Sequence, residues 1–481
     1  MASVKKNFIY NSVYHILLII FPLITAPYIS RVLGASGIGA FSYTHSVANY
    51  FSLFAILGMK NYGNRCVAMS RDNRANLSRT FWSLYFMQVI TAGLAVIVYL
   101  VYVLLFEQKY ELIALLHTIF VLASLFDISW FFFGLEQFKL TVTRGLSIRV
   151  LSLILIFVFV KTPDDLGIYT TINVVSTLMT QLAVWPFLKR HVDYVRVTKA
   201  EIISHIKPNI ILFIPVIAVS LYRVMDKIML GSMVSDIAQV GFYENTEKII
   251  NIPMGLITAL GTVMLPRMSN LVVKGDEKSS RMYIESSMLF VMFMGSALTF
   301  GIAGIAPVFA PFFFGEEFDI CGELITYISP TILFLGWANV IRTQYLVPNK
   351  KDASFIISVS LGAVTNLVIN ILLIPKMGAL GAIIGTIAAE FAVALSQTLM
   401  VYKYLDIMLY LKNGWFFILF GAIMFTVVRA LAAVSSSDVI VLTVQISTGA
   451  FIYLALSGAY LILNRKKSVM RLINIFQRKR L

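Results

Sequence analysis

Fourteen stretches of this chain read as apolar runs of about twenty residues or more. They fall near 11–33, 38–59, 80–106, 112–134, 142–160, 165–188, 208–231, 237–262, 283–312, 320–347, 353–374, 379–403, 413–433 and 439–463. A helix needs about 20 apolar residues to cross the hydrocarbon core of a bilayer. Only 13% of the 481 residues are charged and 59% are hydrophobic, against about 25% charged in ordinary soluble domains. The expectation is an all-α integral membrane protein of about fourteen spans. The first run is too long for a signal peptide and lacks a small-residue cleavage motif, so it reads as a retained span.

The loops test the count. With the N-terminus inside, thirty-one Lys and Arg fall on inner segments or the tail. Five fall on outer ones: Arg31, Lys109, Lys161, Lys376 and Arg429. The asymmetry alternates loop by loop, as positive-inside bias requires, and a miscounted span would scramble it downstream. Both termini are therefore expected in the cytoplasm. The same bias accounts for the net charge of +15 without nucleic acid. The basic and apolar tail at 464–481 would anchor the inner end, or lie on the anionic inner leaflet if helical.

Two internal echoes suggest a repeat. "RVLGASGIGAFSY" (31–43) resembles "KIMLGSMVSDIAQVGFY" (227–243), and "LGIYTTI" (166–172) resembles "LGAIIGT" (380–386). Each joins two spans on the outer side, six spans apart, so two parallel six-span halves are expected. The division is 1–200 for an N-lobe (spans 1–6) and 201–410 for a C-lobe (spans 7–12). Two extra spans follow at 411–463, and then the tail, 464–481.

Charges inside the runs are the candidate functional residues, since one charge at a bilayer centre costs roughly 3 kcal/mol on insertion scales. Span 7 carries Arg223, Asp226 and Lys227 on one helical face; span 8 carries Glu244, Glu247 and Lys248, with Glu244 and Lys248 four apart. These charges form either a brace between neighbouring spans or a polar cavity for an anion, in which acids release cations to the ligand and take them back. Asp127 in span 4 is the deep acid of the first half, and Arg31 lies at the outer end of span 1. Glu390 sits in span 12, and Arg149 and Arg342 lie where they can snorkel. His15 and His45 are candidate proton carriers or hydrogen-bonded core residues. Prolines at 22, 27, 215, 253 and 330 interrupt spans and allow bending.

No P-loop occurs and no loop is large enough for a catalytic domain, so the chain reads as a transporter rather than an enzyme. Cys66 and Cys321 are expected at opposite faces, which excludes a disulfide and offers no metal framework.

The order "PYISRVLGASGIGAFSY" (27–43), "DISWFFFGLEQFKLTVTR" (127–144), "DKIMLG" (226–231) and "VGFYENTEKI" (240–249) resembles the Wzx-type oligosaccharide repeat-unit flippases. These belong to the exporter superfamily that includes the lipid II flippases and the multidrug/toxin extruders. The resemblance implies two six-helix lobes around a central cavity. It also implies alternating access, and export of undecaprenyl-diphosphate oligosaccharide across the bacterial cytoplasmic membrane for capsule, O-antigen or exopolysaccharide. Membrane lipids, a polysaccharide polymerase and a coupling ion (H+ or Na+) are the partners it brings in; no cofactor is implied. Arg31 matches the motif position in span 1. Arg223, Lys227 and Lys248 are added from their apolar surroundings as cavity cations, with Asp226, Glu244, Glu247 and Asp127 as an ion-pair network. Lipid II flippases and multidrug extruders are the alternatives. The extra pair of spans matches the lipid II flippases, where such helices help form a groove for the lipid tail.

Overall fold

A computed structural model describes residues 4–463 of the protein. The side chains of residues 4–20 and of a few residues inside helices, among them Pro215 and Arg223, lie outside that description, as do His15 as a side chain and the tail 464–481. The described chain is helical throughout and divides into two compact units, residues 1–241 and 242–481. The six-span halves expected from the echoes, 1–200 and 201–410, have other bounds.

The first unit contains α1 (Val4–Ile56), α2 (Met59–Ser70), α3 (Arg74–Phe106), α4 (Glu111–Ala123), α5 (Ser129–Gly134), α6 (Phe138–Phe159), α7 (Leu166–Leu182), α8 (Trp185–Leu188), α9 (Lys199–Ser204) and α10 (Ile206–Met233). α11 (Ala238–Val273) crosses the boundary. The second unit continues with α12 (Glu277–Phe314), α13 (Ile320–Ile328), α14 (Thr331–Ile341), a π-helical turn at Arg342–Leu346, α15 (Asp352–Met377), α16 (Ala379–Val401), α17 (Ile407–Ala430) and α18 (Asp438–Leu463).

Among the described residues ten helices are long and apolar enough to span, or eleven when the bent pair Glu316–Ile328 and Thr331–Leu346 counts as one. These cover the runs from 80 to 188 and from 237 to 463. The first two runs instead share α1, which breaks only at Gly34 (φ 67°, ψ 178°). That backbone is open to glycine and strained for other residues. The link read from the sequence at 34–37 is thus a sharp break at Gly34, where two helices meet within α1. The run at 208–231 lies on α10.

Side-chain caps fix several helix starts. Asn73 Oδ1 accepts from the amides of Ala75 (2.9 Å) and Asn76 (3.1 Å), and Thr198 with Glu201 forms a capping box on α9. The first unit's core is aromatic: Phe81 packs on Trp130 and Phe131, with Phe132, Met59 and Leu84 fully buried beside them. Gly63 lets the Trp130 ring approach to 2.7 Å of where a Cβ would stand. In the second unit the two last spans belong to the core. Tyr453 Oη of α18 donates to the Phe293 carbonyl (2.6 Å), and Gln445 Nε2 to that of Val428 (2.9 Å). Glycines at 414 and 421 admit Met292 and Phe300 between α12 and α17. Large apolar side chains such as Leu104, Leu372 and Phe451 point outward along the span helices, as lipid contact requires.

Candidate functional site

On α10, Asp226 is 1% exposed, and Lys227 is half-buried; both are engaged by neighbours. Arg223 is helical in backbone, and its side chain lies outside the described residues, so its expected pairing with Asp226 does too. Tyr50 of α1 donates its hydroxyl to the Ser220 carbonyl (3.2 Å), and its ring carries that hydroxyl into electrostatic range of Asp226. A carboxylate sealed this far into an apolar helix requires such polar company.

On α11 the i, i+4 spacing does what the sequence indicated. Lys248 Nζ stands 3.3 Å from Glu244 Oε1 and donates to Asn245 Oδ1 at 3.3 Å. Glu247 is half-buried and also engaged. Asp226 and Lys227 belong to the first compact unit, and Glu244, Glu247 and Lys248 to the second. Arg31 is exposed on α1, three residues before the Gly34 break, and its Nη1 donates to the Pro27 carbonyl (3.2 Å).

Asp127 marks a feature that the run at 112–134 concealed. α4 ends at Ala123, one 3-10 turn follows, Asp127 is extended (φ −73°, ψ 93°), and helix resumes at Ser129. A helix broken at membrane depth needs its freed backbone groups satisfied by protein. Gln88 of α3 supplies most of this. Its Nε2 donates to the carbonyls of Ser124 (2.7 Å) and Asp127 (2.9 Å), and its Oε1 accepts from Trp130 Nε1 (2.9 Å). Trp185 Nε1 donates to the Phe126 carbonyl (3.0 Å), and Asp127 Oδ1 accepts from the Ser129 amide (3.0 Å).

The break opens a cavity of about 340 Å³. Asp127, 4% exposed, contributes its carboxylate, and Asn49, Asn61, Thr177 and Gln181 contribute polar groups beside Phe120. Sequence reading found Asp127 but missed Gln88 and the amides, because a lone Gln or Asn in an apolar run signals nothing about its partner. It also missed His117, fully buried on α4, whose ring lies 5.3 Å from that of His45. Of the remaining polar intrusions, Glu390 is buried and engaged, Arg149 is exposed, and Arg342 donates to Asn339 Oδ1 (2.8 Å) at the head of the π turn.

The chain is similar to a protein described as "Putative O-antigen transporter" from Shigella dysenteriae, 23% identical over 404 residues, which are 81% of this chain and 98% of that protein. A protein of the same description from Escherichia coli (strain K12) is 23% identical over 358 residues, 73% of this chain and 86% of its own. Among solved structures, the lipid II flippase MurJ in an inward closed conformation superposes with TM-score 0.80 at 15% identity, covering 95% of this chain and all of that one. An inward-facing multidrug resistance MATE family transporter gives TM-score 0.54 at 12% identity, covering 82% and 99%. Both likenesses concern the fold. The family model described as "Polysaccharide biosynthesis protein" matches residues 4–272, more than half of the chain. The chain therefore belongs to the polysaccharide biosynthesis protein family, within the exporter superfamily whose Wzx-type flippases its motifs resemble.

Proposed function

We propose that this multi-pass membrane protein is a flippase for undecaprenyl-diphosphate-linked oligosaccharide repeat units. It moves the head group from the inner to the outer leaflet of the bacterial cytoplasmic membrane by alternating access, while the lipid tail stays in the bilayer. Family membership and the O-antigen transporters it is similar to support this reading. The observation that carries it is charge kept within apolar helices of both units: Asp226 and Lys227 on α10, and the Glu244–Lys248 pair on α11. A diphosphate needs cations where water is scarce, and charge-assisted hydrogen bonds are strong there. An acid that holds a lysine in the empty state can release it to the ligand and re-pair afterwards. The inside-negative potential adds about 2.3 kcal/mol per net charge per 100 mV to outward movement of an anion.

In this reading Arg31, Arg223, Lys227 and Lys248 contact the diphosphate, and Asp226, Glu244, Glu247 and Asp127 set their pairing. The test replaces each cation by Gln and measures glycan export beside membrane abundance. At least two variants are expected to lose export about ten-fold or more, as removal of one charge-assisted contact of 1.5–3 kcal/mol implies, while keeping normal abundance. Full export from all four refutes the cavity role. Loss of abundance in all four identifies a brace. Rescue of a strain lacking its lipid II flippase, in place of one lacking polysaccharide export, would shift the substrate to lipid II.

A further inference from the structure

We infer that the first unit carries a proton-binding site formed by His45 of α1 and His117 of α4, entered from the cavity at the break after α4. The inference rests on the transport reading for its purpose, but not for its geometry.

His117 is fully buried, and its Nδ1 bonds the Ile113 carbonyl at 2.9 Å. That bond fixes the proton of the neutral ring on Nδ1 and leaves the lone pair on Nε2. Nε2 has no hydrogen-bond partner. A buried acceptor left in this state costs about 1–3 kcal/mol, so the position needs a reason. The His45 ring lies 5.3 Å away, centroid to centroid. At this separation two imidazoles can share one proton through one bridging water. Phe41 stacks on His45 (5.6 Å, 4° between planes) and lies 5.3 Å from His117, and Phe120 packs edge-on against His45 at 4.7 Å. These ring faces suit a transient imidazolium.

The route in follows from the neighbours. His45 is half-buried. Asn49, one turn further along α1, lines the cavity, as does Phe120. Asp127, Asn49, Asn61 and Gln181 give water in that cavity acceptors and donors, and Lys60 stands at its rim. A proton crossing that water reaches His45 and then the Nε2 lone pair of His117. No bond other than N–H forms or breaks, and the pair gains one positive charge.

The titratable groups facing the pair from the packed elements are few. α3 brings Tyr99, whose hydroxyl donates to the Ala114 carbonyl (2.8 Å), and α7 brings Tyr169, edge-on to Phe41 at 4.8 Å. A charge on the fully buried His117 ring is costly in this packing and favours one that admits water. That difference between states lets a proton bias a conformational cycle.

The test uses the full chain in nanodiscs with ring-labelled histidine, since there are only five histidines to resolve. NMR is followed from about pH 8 to pH 5, the range in which imidazoles titrate. His45 and His117 are expected to titrate as one coupled pair, and His117→Asn, which keeps a donor for Ile113, is expected to leave His45 titrating alone. A His117 ring that keeps its neutral tautomer throughout, with His45 unaffected by the substitution, overturns the site. His45→Gln, read at His117, gives the same decision if His117→Asn does not fold. In proteoliposomes holding the native protein, export should change up to roughly ten-fold per pH unit of imposed gradient near the pair's midpoint, and this dependence should vanish in His117→Asn. If export persists with its gradient dependence intact, the site fails and the flippase reading stands. If coupled titration is seen without glycan export by the native protein, the flippase reading fails and the site stands.

Discussion

Gln88 is one uncharged side chain in an apolar helix, yet it ties three groups at the break after α4. Replacing it by Ala leaves two carbonyls and an indole N–H short of a partner in a region poor in water. Each orphaned group costs about 1–3 kcal/mol. Gln88→Ala is expected to lower thermal stability by at least one such increment, and Gln88→Glu to restore less than half of it, because a carboxylate cannot donate to the two carbonyls. Thermal unfolding in nanodiscs measures both; an unchanged midpoint for Gln88→Ala would show that water replaces the amide. At this scale the sequence is a partial guide. Asp127, Asp226, Glu244 and Lys248 announce themselves because charge in an apolar run is expensive. Gln88 and His117 do not, since their meaning lies in which carbonyl or ring they meet, and that depends on tertiary contacts between α3, α4 and α1.

At the scale of elements, apolar length alone located most of the helices. It could not find the break at Asp127, which interrupts a helix without interrupting the apolar pattern, whereas the link read at 34–37 falls where Gly34 breaks α1. It also could not show why the two glycine motifs echo each other. Gly39 lies against the Ile237 backbone, and Gly241 lies against that of Ala35, so the related segments meet reciprocally at their glycines. A Cβ on either glycine would fall inside a carbonyl oxygen's envelope. Gly39→Ala and Gly241→Ala are each expected to cost about 3 kcal/mol or more, the upper range of overpacking, as a lower unfolding midpoint or reduced membrane abundance. Gly93→Ala and Gly458→Ala serve as controls, since nothing lies within 4 Å of an added Cβ there. Equal behaviour of the four variants would mean that the backbone separates easily at this contact.

At the scale of the whole molecule, charge distribution decides which side faces the cytoplasm, and contacts between loops test whether the alternation is consistent. In the first unit three arginines of the segment between α2 and the start of α3 bind acids of two other segments assigned to the inner side. Arg71 pairs with Glu136 (2.8 Å), Arg74 with Asp193 (2.7 Å), and Arg79 with Glu201. The hydrogen bonds from Arg74 hold the Asp193 carboxyl below the usual carboxylate range, so this pair persists through neutral pH and is lost only on strong acidification, as Asp193 protonates. Outer segments meet likewise: Tyr28 Oη donates to the Val160 carbonyl (2.6 Å), and Lys109 Nζ to that of Ser235 (3.1 Å). In the second unit Arg281 lies 3.7 Å from Asp406, both assigned inside, and Arg429, assigned outside, donates to Thr326 Oγ1 (2.8 Å) in the outer part of the run 320–347. Each of these contacts joins segments that the expected alternation places on one side. The positive-inside bias makes the side carrying Arg71, Arg74, Arg79 and Arg281 the one expected in the cytoplasm. Reporter fusions should therefore place the C-terminus in the cytoplasm and residues 315–323 outside. Those acidic outer residues contribute little to orientation, whereas the seven Lys and Arg of 464–481 act on the last span. Neutralising the tail should leave residues 315–323 outside, because spans 1–12 are oriented by their own loops. A C-terminus outside in the native chain, or 315–323 inside, would overturn the topology.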